Sequence, residues 1–134
     1  MTIGDYTFYK SDFIPGKLLV DIPTKKIKEY QSQLSMQLAE FIYRKSFANP
    51  VELFDLKSEY VSGYCWNHGD MCSNILVNPK SMKITGIIDW EWANYGSIDN
   101  EFNGLVWVRK KMRKIGLDRT TKDWYLKIKD SLPG

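Results

Sequence analysis

Two short apolar segments joined by a turn constrain the fold of this chain more than any other feature. The segments are Ile75 to Asn78 and Lys83 to Ile88, and the turn between them is Pro79 to Met82. Apolar runs of this length on either side of a proline-containing turn predict a β-hairpin. A carboxylate or an amide stands at the edge of each run, so the hairpin is expected to bring polar groups together.

Three oxygen-bearing side chains flank this hairpin in the sequence. Asp70 and Asn74 precede its first strand, and Asp89 follows its second. Mg²⁺ takes oxygen ligands at about 2.0–2.1 Å, and a substrate hydroxyl needs a carboxylate nearby to take its proton. Such a set is what magnesium-dependent phosphoryl transfer requires. Asn74 and Asp89 suit the metal, and Asp70 suits the proton.

Each of these residues also has a structural interpretation when it is taken alone. A Gly-Asp pair such as Gly69-Asp70 is often a turn, and a strand-terminal acid such as Asp89 is often a cap or turn residue. His68 alone favours a buried structural histidine over direct chemistry. The prediction therefore depends on the ordered set and not on any one member.

The ordered set resembles a known family. His68-Gly69-Asp70, the amide at Asn74 and the run Ile88 to Ala93 are similar to the motifs of the aminoglycoside phosphotransferase and choline kinase-like family, relatives of the protein kinases. The similarity is strongest from Cys65 to Tyr95. It implies an α+β fold, a protein kinase-like C-terminal lobe that is mainly helical and carries a catalytic β-hairpin.

The domain organisation follows from this resemblance. At 134 residues and 43% hydrophobic composition the chain can bury a core, so one domain is the default. Phe13 to Leu19 resembles the segment that leaves the hinge between the family's two lobes. We expect a single partial domain, with a hinge-like segment at residues 1–19 and the C-terminal lobe at 20–134. No glycine-rich phosphate loop or lysine strand precedes the motifs, so the N-terminal lobe is expected to be absent.

The resemblance also implies a function and a site. The protein would be an ATP-dependent phosphotransferase that moves the γ-phosphoryl group to a hydroxyl of a small molecule, with Mg²⁺ as cofactor. Asp70 would be the catalytic base, and Asn74 with Asp89 would bind the metal and, through it, the nucleotide. His68 would support the loop by hydrogen bonds, and Glu91 would reach a second metal or a basic neighbour.

The missing lobe leads to an expectation about activity. A chain with half a nucleotide site is expected to be weakly active or inactive. The alternative is a catalytically dead binding or regulatory module. For that alternative, an apolar surface where the missing lobe would sit favours self-association or a partner, because large apolar patches are rarely left exposed.

One spacing departs from the kinase pattern. Four residues separate the catalytic Asp from the metal-binding Asn in that pattern, whereas only Met71, Cys72 and Ser73 lie between Asp70 and Asn74. One residue fewer removes up to about 3.3–3.6 Å of reach. Because a metal bond does not tolerate such a difference, Asn74 needs a tighter loop path to act as a ligand.

The acids that follow the hairpin do not identify an acceptor. A cationic acceptor calls for an acidic cleft, and the acids nearby, beyond the catalytic set, are Asp99 and Glu101. Glu101 stands where the family usually has Asp within the next helix. The acceptor therefore stays open, from aminoglycosides and choline-like alcohols to sugars and protein hydroxyls.

Helices and one further strand are expected around the hairpin. Thr24 is the predicted N-cap of a helix with apolar residues near the 3.6-residue period. A buried strand is expected at Val61 to Trp66. A helix containing Phe102 should end near Gly116, and Thr120 or Thr121 should cap a last short helix.

Charge and composition argue against several partners. The net charge of +3 is too mild to indicate nucleic acid, and the basic run Arg109 to Lys114 favours a solvated helix end. No signal peptide and no run of 18 apolar residues is present, so a cytoplasmic protein without a membrane partner is expected. Cys65 and Cys72 do not form a disulfide-type pattern and are expected to be reduced.

Two alternative uses of side chains remain. Cys65, His68 and Cys72 are zinc-ligand types, although their spacing provides no clear fourth ligand. Three tryptophans suggest either a ligand platform or core packing, with packing favoured for at least two of them. They are Trp90, Trp92 and Trp107.

Overall fold

The structure is a computed structural model that describes residues 2–3, 6–7, 14–46, 64–106 and 109–131. Its strands are β1 (Thr2–Ile3), β2 (Tyr6–Thr7), β3 (Lys17–Leu18), β4 (Tyr64–Asn67), β5 (Ile75–Val77), β6 (Ile84–Ile87) and β7 (Asn94–Ser97). Its α-helices are α1 (Thr24–Glu29), α2 (Gln31–Ser46), α3 (Ile98–Gly104), α4 (Lys110–Ile115) and α5 (Leu117–Ser131). Short 3-10 turns cover Leu19–Asp21 and Cys72–Asn74.

The predicted hairpin is present as β5 and β6, and it lies in a small antiparallel sheet with the order β3-β5-β6. Strand β5 is central, which explains why all three of its residues are buried. The segment before β3 packs on this hairpin. A side chain at Gly16, which has φ +138°, would place its Cβ 2.4 Å from Oγ1 of Thr85.

Hydrogen bonds from Asn78 and from Gln37 of α2 stabilise the turn of the hairpin. The Oδ1 atom of Asn78 accepts hydrogen bonds from the backbone N–H groups of Lys80 (2.9 Å) and Ser81 (3.2 Å). Met82 adopts φ +58° and is fully buried. Gln37 of α2 donates through Nε2 to the Met82 carbonyl (3.2 Å), and its Oε1 accepts from the Ile84 N–H (2.8 Å). Helix α2 thus fixes the hairpin at its turn end.

The two long helices, α2 and α5, pack against each other and form the main helical layer. The contact includes polar pairs, because the hydroxyl oxygens of Ser35 and Thr120 are 2.6 Å apart and Gln31 Nε2 donates to the Thr120 hydroxyl oxygen (3.4 Å). The apolar core lies between these helices and the hairpin. Its fully buried members include Leu34, Leu38, Ile42, Ile75, Met82, Leu105 and Leu117.

Several predicted helix ends are corrected by the structure. Thr24 is the first helical residue and not the N-cap, a position that Pro23 occupies without a side-chain hydrogen bond. The last helix begins at Leu117, so Thr120 lies inside it, where its hydroxyl donates to the Gly116 carbonyl (3.2 Å).

The helix predicted to contain Phe102 is divided into α3 and α4. The predicted stop at Gly116 is confirmed, with φ +80°. Part of the basic run lies at a helix C-terminus as predicted, because Arg113 and Lys114 are in the last turn of α4, whereas Arg109 precedes this helix as its N-cap residue.

The predicted strand at Val61 to Trp66 is present over Tyr64–Asn67, and residues 61–63 lie outside the described part. It pairs antiparallel with β7, and Trp66 stands opposite Tyr95. Within the described residues, no helix has both the length and the apolar character that a membrane crossing demands.

Replacing Gln37 by Ala should lower the free energy of unfolding by about 1–3 kcal/mol, because the Ile84 N–H and the Met82 carbonyl would both lose a partner. Gln33→Ala is the matched control, since it removes one exposed hydrogen bond to the Ser81 carbonyl and should cost less than about 0.5 kcal/mol. Urea unfolding of both variants measures the difference. Equal losses in the two would contradict the role assigned to Gln37.

Candidate functional site

His68 joins the two segments that carry the candidate acids. Its Nδ1 atom accepts the backbone N–H of Asp70 (3.0 Å), and its Nε2 atom lies 2.6 Å from the carbonyl oxygen of Ile88. A backbone N–H only donates and a carbonyl only accepts, so the ring is the neutral tautomer with its proton on Nε2. Asp70 and the residue before Asp89 are therefore attached to one fully buried imidazole.

Trp90 covers this histidine. The two ring centroids are 4.6 Å apart, and the Trp90 indole N–H donates to the Ile87 carbonyl (2.8 Å). On another side Trp90 meets Phe41 of α2, with centroids 5.9 Å apart. The imidazole is thus held by aromatic packing as well as by hydrogen bonds, which fixes its orientation.

The two segments also touch directly at Gly69. This residue has φ +94°, and a Cβ built on it would lie 2.4 Å from the Trp92 carbonyl oxygen. Only glycine fits so close an approach at a positive φ without displacing the neighbouring chain. The contact brings the backbone beside Asp70 against the backbone that follows Asp89.

Asn74 lies against Asp70 despite the short spacing between them. The 3-10 turn Cys72–Asn74, closed by a 2.9 Å hydrogen bond from the Asn74 N–H to the Met71 carbonyl, shortens the path. The Nδ2 atom of Asn74 then donates to the backbone carbonyl of Asp70 (2.7 Å). The backbone carbonyl of Asn74 accepts a hydrogen bond from the Ile88 N–H (3.0 Å). The tighter path that the sequence required is present, and the buried amide of Asn74 uses its Nδ2 atom in this contact.

Asp89 has an unusual backbone. Directly after β6 it adopts φ +61°, a left-handed conformation that is uncommon for residues other than glycine, although Asp tolerates it better than most. Such a conformation costs on the order of 1–3 kcal/mol and is found at functional sites. The side chains of Asp89 and Glu91 are exposed, and that of Asp70 is half-buried.

Glu101 supports the loop from below, a role that the sequence analysis missed. It is 1% exposed, and both of its carboxylate oxygens accept the His68 backbone N–H, at 3.2 and 3.1 Å. Helix α3 positions this carboxylate. The only sequence signal was its place in the helix after the hairpin, where the family usually has Asp.

The donor set fits Mg²⁺ better than Zn²⁺. Carboxylate and amide oxygens at Asp89 and Asn74 are hard ligands of the kind that Mg²⁺ prefers. Both ring nitrogens of His68 are engaged with the backbone, and the Cys65 side chain lies outside the described part, so the structure gives the zinc alternative no support. Among the described residues, no three His, Cys, Asp or Glu side chains form a metal-binding group.

The three tryptophans differ in environment. Trp90 is half-buried and packs against His68 and Phe41, whereas Trp92 is 64% exposed and Trp107 lies outside the described residues. The expectation that at least two of the three are core residues stays a prediction.

Comparisons with known proteins support the fold. No family model matches the sequence, and no curated protein matches it. The fold is similar to that of an aminoglycoside-3'-phosphotransferase of type VIII, with a TM-score of 0.60 and 13% sequence identity. The match covers 92% of this chain and 62% of that protein's chain. The chain therefore has a kinase-like fold that resembles part of this phosphotransferase.

Introducing a side chain at position 69 should separate the two segments. Gly69→Ala is expected to lower the free energy of unfolding by about 1–3 kcal/mol, because φ +94° and the contact with Trp92 both oppose a Cβ. Gly104→Ala is the control, since nothing lies within 4 Å of its Cβ position. Chemical denaturation is the measurement, and a Gly69 variant as stable as the Gly104 variant would contradict the close approach.

The Cys72 thiol should be unreactive in the folded protein. Burial raises its pKa to about 11, the positive charge of Arg109 acts to lower it, and the negative charge of Asp70 acts to raise it. At pH 8 the folded protein should then hold about 100-fold less thiolate than the unfolded chain. Because the folded pKa exceeds the unfolded value of 9.0, this thiol contributes stability below pH 9 that is lost as the pH rises toward 11.

The low reactivity of the Cys72 thiol is checked by iodoacetamide alkylation in a Cys65→Ser background. The alkylation rates of native and urea-unfolded protein are compared at pH 8. The native rate should be lower by about the same factor of 100. Equal rates would show that Cys72 is not buried.

Proposed function

We propose that this chain carries the catalytic portion of an ATP-dependent phosphotransferase that phosphorylates a hydroxyl group of a small molecule. One observation carries the proposal, namely the hydrogen bonds at His68 that connect the Asp70 segment to the Asp89 segment. The similarity of the fold to an aminoglycoside kinase supports it at the level of architecture.

Asp70 is the proposed base. The acceptor hydroxyl would donate a hydrogen bond to its carboxylate and pass its proton there as the oxygen attacks phosphorus. The side chain is half-buried, so it has both access to a substrate and support from the protein. Two hydrogen bonds hold its backbone. The Asp70 N–H donates to His68 Nδ1, and the Asp70 carbonyl accepts from Asn74 Nδ2.

Asn74 and Asp89 are the proposed ligands of Mg²⁺. When bound, the ion would neutralise the phosphate charges of the nucleotide and orient the transferred group. Asn74 is positioned by its bonds to Asp70 and Ile88, and Asp89 by the turn that its left-handed backbone makes after β6. Glu91, exposed and two residues further on, is proposed as a second acid for metal or a basic group.

The metal ligands and the base are separable by experiment. Asp89→Asn should weaken the Mg²⁺-dependent binding of a fluorescent ATP analogue by about tenfold or more, because it removes a charged ligand. Asp70→Asn should leave that binding within twofold of the parent and lower any turnover by about 10²–10⁴.

Asp123→Asn is the control, because Asp123 is an exposed acid on α5 outside the site. Binding is measured by fluorescence titration with and without Mg²⁺, and turnover by ADP release over a panel of hydroxylated small molecules. Nucleotide binding that is independent of Mg²⁺ and unchanged by Asp89→Asn would refute the proposed site. Mg²⁺-dependent binding without turnover would instead favour the binding or regulatory alternative.

A further inference from the structure

Arg109 lies at the candidate catalytic loop, although it is distant in sequence. It precedes α4, and its Nη2 atom donates a hydrogen bond to the Ser73 hydroxyl (3.3 Å). Ser73 stands between the proposed base and Asn74 in the 3-10 turn. The guanidinium is exposed, so solvent and substrates have access to it.

The charge of this arginine is not neutralised by a neighbouring acid. Within the described residues, no carboxylate lies within ion-pair distance of the guanidinium, and the bond to Ser73 uses one of its five N–H donors. The bond to Ser73 places the guanidinium at the 3-10 turn Cys72–Asn74, which begins two residues after Asp70. A positive charge and the proposed base therefore flank the same turn.

The acids that could neutralise the charge of Arg109 have other partners. Asp99 forms an ion pair with Lys122 (3.4 Å), and both carboxylate oxygens of Glu101 accept the His68 N–H. These are the two acids that the sequence offered for recognition of a cationic acceptor. The remaining exposed acids of the site, Asp89 and Glu91, lie on the segment that follows the hairpin.

We propose that Arg109 is a substrate-binding residue that holds an anionic oxygen group at the catalytic loop. A planar guanidinium binds phosphate or carboxylate oxygens in pairs, which a lysine cannot do. The group is either a phosphate of the nucleotide or a phosphate or carboxylate on the acceptor. The inference rests on the proposed function, and it makes a polycationic acceptor a poor match for the Ser73 side of the loop.

Two probes distinguish the sources of the anion. Tripolyphosphate represents the phosphate chain of the nucleotide, and glycerol 3-phosphate represents an anionic alcohol, with glycerol as its neutral control. Binding of each to the full chain is measured by titration calorimetry. We expect one of the two anions to bind the parent protein, and glycerol to bind much more weakly.

Four variants then test the role of the guanidinium. Arg109→Ala should weaken binding of that anion about tenfold, and Arg109→Lys should recover only part of the loss. Arg113→Ala removes an equal charge from the exposed face of α4 and should change binding less than twofold. Ser73→Ala removes the internal hydrogen bond but keeps the guanidinium, so it should also have a small effect.

The outcomes separate this inference from the proposed function. Equal effects of Arg109→Ala and Arg113→Ala, or equal effects of Arg109→Ala and Ser73→Ala, would overturn it, because the arginine would then act by diffuse charge or by loop support. Failure of both anions to bind would also overturn it. Mg²⁺-dependent ATP binding, read separately in the Asp89→Asn series, reports on the proposed function.

Discussion

The architecture of the candidate site depends on one buried imidazole. His68 accepts a backbone N–H from the loop before the hairpin and donates to a backbone carbonyl at the end of it. The carboxylate of Glu101 accepts a hydrogen bond from the His68 backbone N–H, and the Trp90 ring packs against the imidazole. Buried polar groups of this kind are costly unless every partner is present, so the network favours a single arrangement. The backbone of Asp70 and that of Ile88, the residue before Asp89, are thereby held to one side chain.

The rest of the fold supports that arrangement by fixing the hairpin. Helix α2 reaches the turn through Gln37, and the interior side of β5 is packed in the main core. At the other end Gly69 allows the two segments to approach closely. A fixed scaffold that carries an exposed acid on left-handed backbone at Asp89 is the arrangement expected of a site that binds and positions ligands.

Fold and function rest on different observations in this protein. The similarity to an aminoglycoside kinase at 13% identity concerns the path of the backbone, and a fold of this kind hosts many substrates. The local chemistry is what suggests phosphoryl transfer, because carboxylate and amide oxygens suit Mg²⁺ and a half-buried carboxylate suits a base. Arg109 lies beside the same loop with no ion pair to an acid among the described residues, and this is the basis of the proposed anionic partner group.

The sequence by itself determined the hairpin, because a hairpin depends on local patterns of apolar residues and turns. The assignment of Asp70, Asn74 and Asp89 to the site comes from motif spacing and stays a prediction. Tertiary structure decided what those patterns leave undetermined. The break between α1 and α2 at Tyr30, and the division of the predicted Phe102 helix into α3 and α4, were not indicated by the apolar periodicity. The 3-10 turn that brings Asn74 back to Asp70, the buried contact of Glu101 with His68, and the approach of Arg109 to Ser73 join residues through space. Periodicity and spacing describe neighbours along the chain, and these contacts arise only when distant segments fold against one another.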